Sequence, residues 1–190
     1  MKMKTRRLAA TGLAVSAAVI GLQVTAGAQS GRNHDDRVTA TLVGRQEVPI
    51  VSTVARGRFD AKVAGDESSL EWNLTYSGLQ GTVTQAHIHI AQRNVNGGIV
   101  IWLCQTAASP APAAAGPVAE CPQTATGSLS LSGVVTSANV IAVATQQFGG
   151  DLGEVIDAIR AGFAYANVHT KPSAGGEIRG QLLINDNDDR

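Results

Sequence analysis

The chain has 190 residues, with 15 basic and 15 acidic side chains, four histidines and two cysteines. No basic stripe with interleaved aromatics is present, which argues against nucleic acid as a partner, and the one long apolar stretch falls short of the ~20 residues that a spanning helix needs. With that N-terminal stretch set aside, the remaining length suits one domain built on one core.

The first element in chain order is a leader at residues 1–28. Lys2, Lys4, Arg6 and Arg7 open it, an apolar stretch fills 8–20, and Ala26-Gly27-Ala28 supplies the small residues of a cleavage site. That is the layout of a secretory signal peptide. The expected location is therefore outside the cytoplasm, secreted or periplasmic, with no membrane span after cleavage. The leader holds four basic and no acidic groups, so the remaining 162 residues carry a net charge of −4. Residues 29–37, including His34, read as a polar linker. Residues 185–190, with Asp186, Asp188 and Asp189, read as a solvated acidic tail.

Between them, residues 38–184 read as seven or eight short strands punctuated by turn residues. Residues 38–48 form the first, stopped by Pro49. Residues 57–64 alternate, with Phe59, Ala61 and Val63 opposite Arg58, Asp60 and Lys62. Residues 70–79 alternate again, with Leu70, Trp72, Leu74 and Tyr76 on one face. Residues 84–91 and 98–104 follow, separated by Arg93-Asn94-Val95-Asn96-Gly97, where Asn-Gly is a turn signal. Residues 126–135 offer Leu129, Leu131 and Val134 as inward residues. One stretch departs from period two: 151–162 places Leu152, Val155, Ile156 and Ile159 at helical spacing, with Asp151 as N-cap and Gly162 as stop. Strands resume at 163–170 and 176–184. The expected class is all-β, an antiparallel β-sandwich or Greek-key, with one short helix near 151–162.

Cys104 ends an apolar strand and Cys121 lies beyond the Pro/Ala-rich stretch 107–119. An even cysteine count in an oxidising compartment favours a disulfide between them.

The order Leu42-Val43-Gly44-Arg45-Gln46-Glu47-Val48-Pro49, Gly57, Ala86-His87-Ile88-His89, Asn96-Gly97-Gly98, Tyr165-Ala166-Asn167-Val168-His169-Thr170 and Gly176-Glu177-Ile178-Arg179-Gly180-Gln181-Leu182 resembles a CHRD domain. This module is named for the animal protein chordin and also occurs singly in secreted bacterial proteins. The resemblance implies an all-β, sandwich-like fold and a non-enzymatic binding or structural role outside the cytoplasm. Its partner would be an extracellular protein or envelope component that the sequence does not name. A weaker likeness links Gly78-Leu79-Gln80-Gly81 and the His87-x-His89 pair to the copper-ligand strand of copper–zinc superoxide dismutase. This chain lacks that family's long histidine-rich zinc loop, which speaks against the same activity.

Two histidines two apart on a strand leave one face about 7 Å apart, close enough to converge on one ion. If the strand carrying Tyr165, Asn167 and His169 lies beside them, then His87, His89 and His169 make a three-histidine site of a kind that suits copper or zinc. Tyr165, Asn167, Glu177 and Arg179 would surround it. The same residues could instead serve as a register-fixing polar network with no cofactor. No catalytic constellation is recognisable: the serines lack a nucleophile-elbow setting, and Asn96-Gly97-Gly98 leads into a strand, unlike a phosphate loop.

Overall fold

The computed structural model describes residues 36–123, 128–143 and 149–185. The leader, most of the linker with His34, and the acidic residues of the tail lie outside the described residues. The elements are β1 (Arg37–Val43), β2 (Arg56–Val63), β3 (Leu70–Ser77), β4 (Val83–Ile90), β5 (Gly98–Cys104), β6 (Ser128–Val135), α1 (Leu152–Arg160), β7 (Ala164–Thr170), β8 (Ile178–Gln181) and β9 (Leu183–Asn185). No helix among the described residues is long and apolar enough to cross a membrane.

The expected alternation is clearest in β2 and β3. Phe59, Ala61, Val63, Leu70, Trp72, Leu74 and Tyr76 are buried, while Arg58, Lys62 and Glu71 face solvent. All ladders are antiparallel, and they join into one sheet of order β5-β4-β7-β8-β1-β2-β3-β6, with β9 also on β1. The pairings β4 with β7, β8 with β1, and β3 with β6 are the long crossovers of a Greek-key arrangement. Both halves of the sheet contribute to one apolar core, from Phe59 and Trp72 on one side to Ile88, Ile101 and Val168 on the other. The sheet therefore wraps around its own interior.

Helix α1 adds Leu152, Val155, Ile156 and Ile159 to that core. Its start is capped by Asp151, whose side chain accepts from Glu154 N at 3.2 Å, and the chain turns out of it at Gly162, where φ is +75°. Arg160 in its last turn reaches Asp36 at 2.7 Å, fixing the helix end to the entrance of β1.

Four sequence expectations change at this level. The first strand ends at Val43, because Gly44–Gln46 forms a short 3-10 turn. Residues 176–184 split into β8 and β9. Val134 is not inward but 60 % exposed, because the pleat gives the inward position to Gly133, against the Trp72 ring. The turn before β5 falls earlier than Asn96-Gly97: Val95 N donates to Gln92 O at 3.2 Å, and Asn94 takes the left-handed conformation at φ 62°.

Cys104 and Cys121 form the expected disulfide, with Cα atoms 4.9 Å apart.

A candidate metal centre under the loops

The β4–β7 ladder pairs His87 with Asn167, His89 with Tyr165 and Gln85 with His169. Opposed residues share a face, so the period-two pattern that sends Ala86, Ile88, Ala166 and Val168 into the core gathers these polar side chains on the opposite one. β5 adds Trp102 beside His87, and β8 adds Arg179 beside Asn167. That face would be wet in an ordinary half-buried sheet. Here it is roofed by the 3-10 turn with Glu47, the loop 93–97 and the turn 174–176. Asn96 joins two parts of the roof, donating to Val48 O at 2.8 Å and accepting from Arg179 at 3.2 Å. His87, His89 and His169 are consequently 0, 6 and 6 % exposed, so the two strands present these rings on the expected shared face, and that face is closed to solvent.

The three histidines converge. One ring nitrogen from each lies within 4.8 Å of the other two. His87 meets His89 and His169 edge-on, at centroid separations of 5.4 and 5.0 Å. The hydrogen bonds decide which nitrogen each ring offers. His169 Nδ1 lies 2.9 Å from Ala174 O, so it carries the proton and donates; Nε2 is buried without a partner among the described residues. His89 Nδ1 likewise donates to Gly97 O at 3.0 Å. Its Nε2 is left as a lone pair facing Asn167 Oδ1 at 3.1 Å. Two acceptors then oppose each other, a conflict relieved by a cation or by an amide turned end for end. Both nitrogens of His87 are buried and unpartnered. Backbone carbonyls holding Nδ1–H while Nε2 points inward is the support that metal-ligating imidazoles ordinarily have.

Burial keeps all three rings neutral. It pushes His87 down to about 2, with the neighbouring His169 and His89 adding to the shift. His89 falls to about 4, again chiefly through burial and against the pull of the Gly97 carbonyl. His169 is lowered by burial and partly held up by the Ala174 carbonyl. A neutral imidazole is the form that binds a metal, so protons compete weakly here.

The expected surrounding residues divide. Tyr165 stacks on His89, centroids 4.6 Å apart and planes within 4°, and its hydroxyl accepts from Gly97 N at 3.2 Å. The Arg179 guanidinium carbon lies 3.3 Å from the Tyr165 ring centroid, and the group donates to Val95 O at 2.9 Å. Asn167 stands at His89. Glu177 turns away: its carboxylate accepts from Thr53 Oγ1 at 2.8 Å, Gln80 N at 2.9 Å and Thr170 Oγ1 at 2.7 Å, bracing the sheet where the core begins.

Sequence reasoning gave Glu47, ahead of Pro49, only a strand-ending packing role, and it passed over Trp102. Glu47 is buried near Asn167 and Arg179, and burial pushes its carboxyl up to about 7 against the Arg179 charge. Trp102 packs edge-to-face on His87 at 4.2 Å. The quoted motif residues find concrete roles: a Cβ on Gly176 would come 2.3 Å from Glu47 Oε1, and one on Gly180 would come 2.5 Å from Thr41 O.

The family model of the CHRD domain matches residues 38–182, which contain every residue of this centre. No curated protein and no solved structure matches the chain.

Proposed function

The chain belongs to the CHRD family, and from that premise we propose that it is an exported, non-enzymatic binding module whose ligand is a transition-metal ion, copper or zinc, held by His87, His89 and His169. Export is supported by the leader pattern at 1–28 and by the Cys104–Cys121 disulfide, which suits an oxidising compartment.

The observation that carries the metal reading is the set of orphaned lone pairs. A purely structural polar network would satisfy its buried members, since each one left unmade costs about 1–3 kcal/mol. Here His169 Nε2 and both nitrogens of His87 have no partner among the described residues, and His89 Nε2 faces an acceptor. One cation would take a lone pair from each of the three rings, leaving only the protonated second nitrogen of His87 without a partner among the described residues. At metal–nitrogen distances of about 2.0–2.1 Å, ligand nitrogens sit ~3.4 Å apart, so the rings need to close in by roughly an ångström.

The test is a thermal-shift series on metal-free protein with zinc and with copper in both oxidation states. An ion at 100 times its Kd adds about 2.7 kcal/mol to the folded state. The expected result is a rise in Tm with at least one ion, lost in His169→Ala and in His89→Ala. No rise with any ion, or the same rise in both variants, rules the site out.

A further inference from the structure

The charge and closure of the His87–His89–His169 cluster bear on which ion it takes. The ligating groups that converge there among the described residues are three neutral imidazoles, with no carboxylate or thiolate among them. Two charged groups lie beside it, Arg179, which acts on His89, and Glu47. Arg179 lies over the Tyr165 ring, which in turn stacks on His89; β8 and β4 flank β7 on opposite sides, so the tyrosine sits between guanidinium and imidazole. Glu47 lies beside the same guanidinium. When Glu47 is ionised the pair cancels, and when it is protonated the surroundings are cationic. In neither state does this pair set net negative charge against a bound ion. The remaining carboxylate nearby, Glu177, spends its oxygens on Thr53, Gln80 and Thr170.

Charge and coordination number then act in the same direction. The desolvation cost of an ion grows as the square of its charge, so a dication entering this buried, uncompensated site costs about four times what a monocation of the same size does. Zinc and cupric copper also seek a fourth ligand or more. Trp102 closes over His87 and Tyr165 over His89, and the histidines themselves are almost fully buried. Three neutral nitrogens, no anionic ligand and closely packed rings above them suit a three-coordinate cuprous ion. Resting on the metal-binding reading above, we propose that this site selects the cuprous ion over zinc and cupric copper.

The test uses the purified full-length chain, metal-free and anaerobic. Cuprous ion is delivered as its acetonitrile complex and competed with bicinchoninate; zinc and cupric ions are titrated in parallel against chelators of known affinity. One cuprous ion per chain, held at least ~100-fold more tightly than zinc, is expected from the charge argument. X-ray absorption of the loaded protein should show a cuprous edge with three nitrogen neighbours. His169→Asn and His87→Gln should each lose the ion, with circular dichroism verifying that the variants are folded. Zinc or cupric copper binding as tightly as cuprous copper overturns the selectivity and leaves the metal site standing. Failure of every ion to bind overturns both.

Discussion

Glu47 is the residue whose charge state most depends on the rest of the molecule. Its carboxyl is buried beside Arg179, Oε1 has no hydrogen-bond partner among the described residues, and Gly176 leaves the space it occupies. Because burial raises it from 4.5 to about 7, the folded state binds its proton more tightly than the unfolded chain. Its contribution to stability is therefore complete below about pH 4.5 and lost as pH rises through about 7. The three histidines run the other way: lowered in the folded state, they contribute fully above about pH 6.5 and lose that contribution as pH falls. Glu47→Gln isolates the first effect. In metal-free protein it should match the parent at pH 5 and exceed it at pH 8 by ~1–3 kcal/mol, read by urea unfolding at both pH values. A variant less stable than the parent at pH 8 would mean that the carboxylate gains more from Arg179 than it loses on burial. The histidines were legible because two lie two apart on an alternating strand and the third belongs to a second such strand. Glu47 was not, since its partners Asn167, Gly176 and Arg179 stand more than a hundred positions away and no local period marks it.

At the scale of elements, the centre depends on the loop 93–97 and on the strand that follows it. The β4–β5 ladder is broken twice, between Ala86 and His87 and between Ile88 and His89. Each break sets an extra β5 residue against β4, so Val100 with Ile101 and Leu103 with Cys104 are buried consecutively. From sequence, residues 98–104 show only an apolar run, and a bulge inside such a run leaves no signature. The helix, by contrast, was readable to its caps, because Asp151, four apolar residues at helical spacing and Gly162 are all local signals. Val134 misled for a physical reason: the large inward residue it imitates is supplied by Trp72 across the ladder, over Gly133. Gly97 closes the loop onto β4. A Cβ there would stand 2.0 Å from Ile90 O, while the residue's own carbonyl holds His89 and its amide holds Tyr165. Gly97→Ala should thus cost at least ~2 kcal/mol and weaken metal retention beyond that general loss. Equal metal affinity in a destabilised variant would show that the loop roofs the centre without orienting its ligands.

Across the whole molecule, the sheet has two end strands, β5 and β6, and the chain between them decides whether it stays wrapped. Past β6 the backbone crosses over and Ile141 N donates to Val100 O on β5 at 2.9 Å. A second strap is the segment 121–123. Cys121 is bonded to Cys104 at the end of β5, Pro122 O accepts from Tyr76 of β3 at 3.0 Å, and Gln123 both donates to and accepts from the Val83 backbone of β4. Three residues therefore tie strands from opposite ends of the hydrogen-bonded order. Reducing the disulfide frees a loop with a sequence separation of 17, worth about 3 kcal/mol in the chain-entropy picture. The strap adds a local effect, because without the covalent anchor the Tyr76 and Val83 contacts lose the chain that positions them. The double variant Cys104→Ala/Cys121→Ala should lose roughly 3 kcal/mol, with faster amide exchange concentrated in β3, β5 and the end of β4 near Val83. The ladder between β4 and β7 that carries the histidines lies inside the sheet, so its exchange should change least. Uniform acceleration in every strand would show instead that the wrapped sheet opens as a single cooperative unit, with the disulfide holding all of it at once.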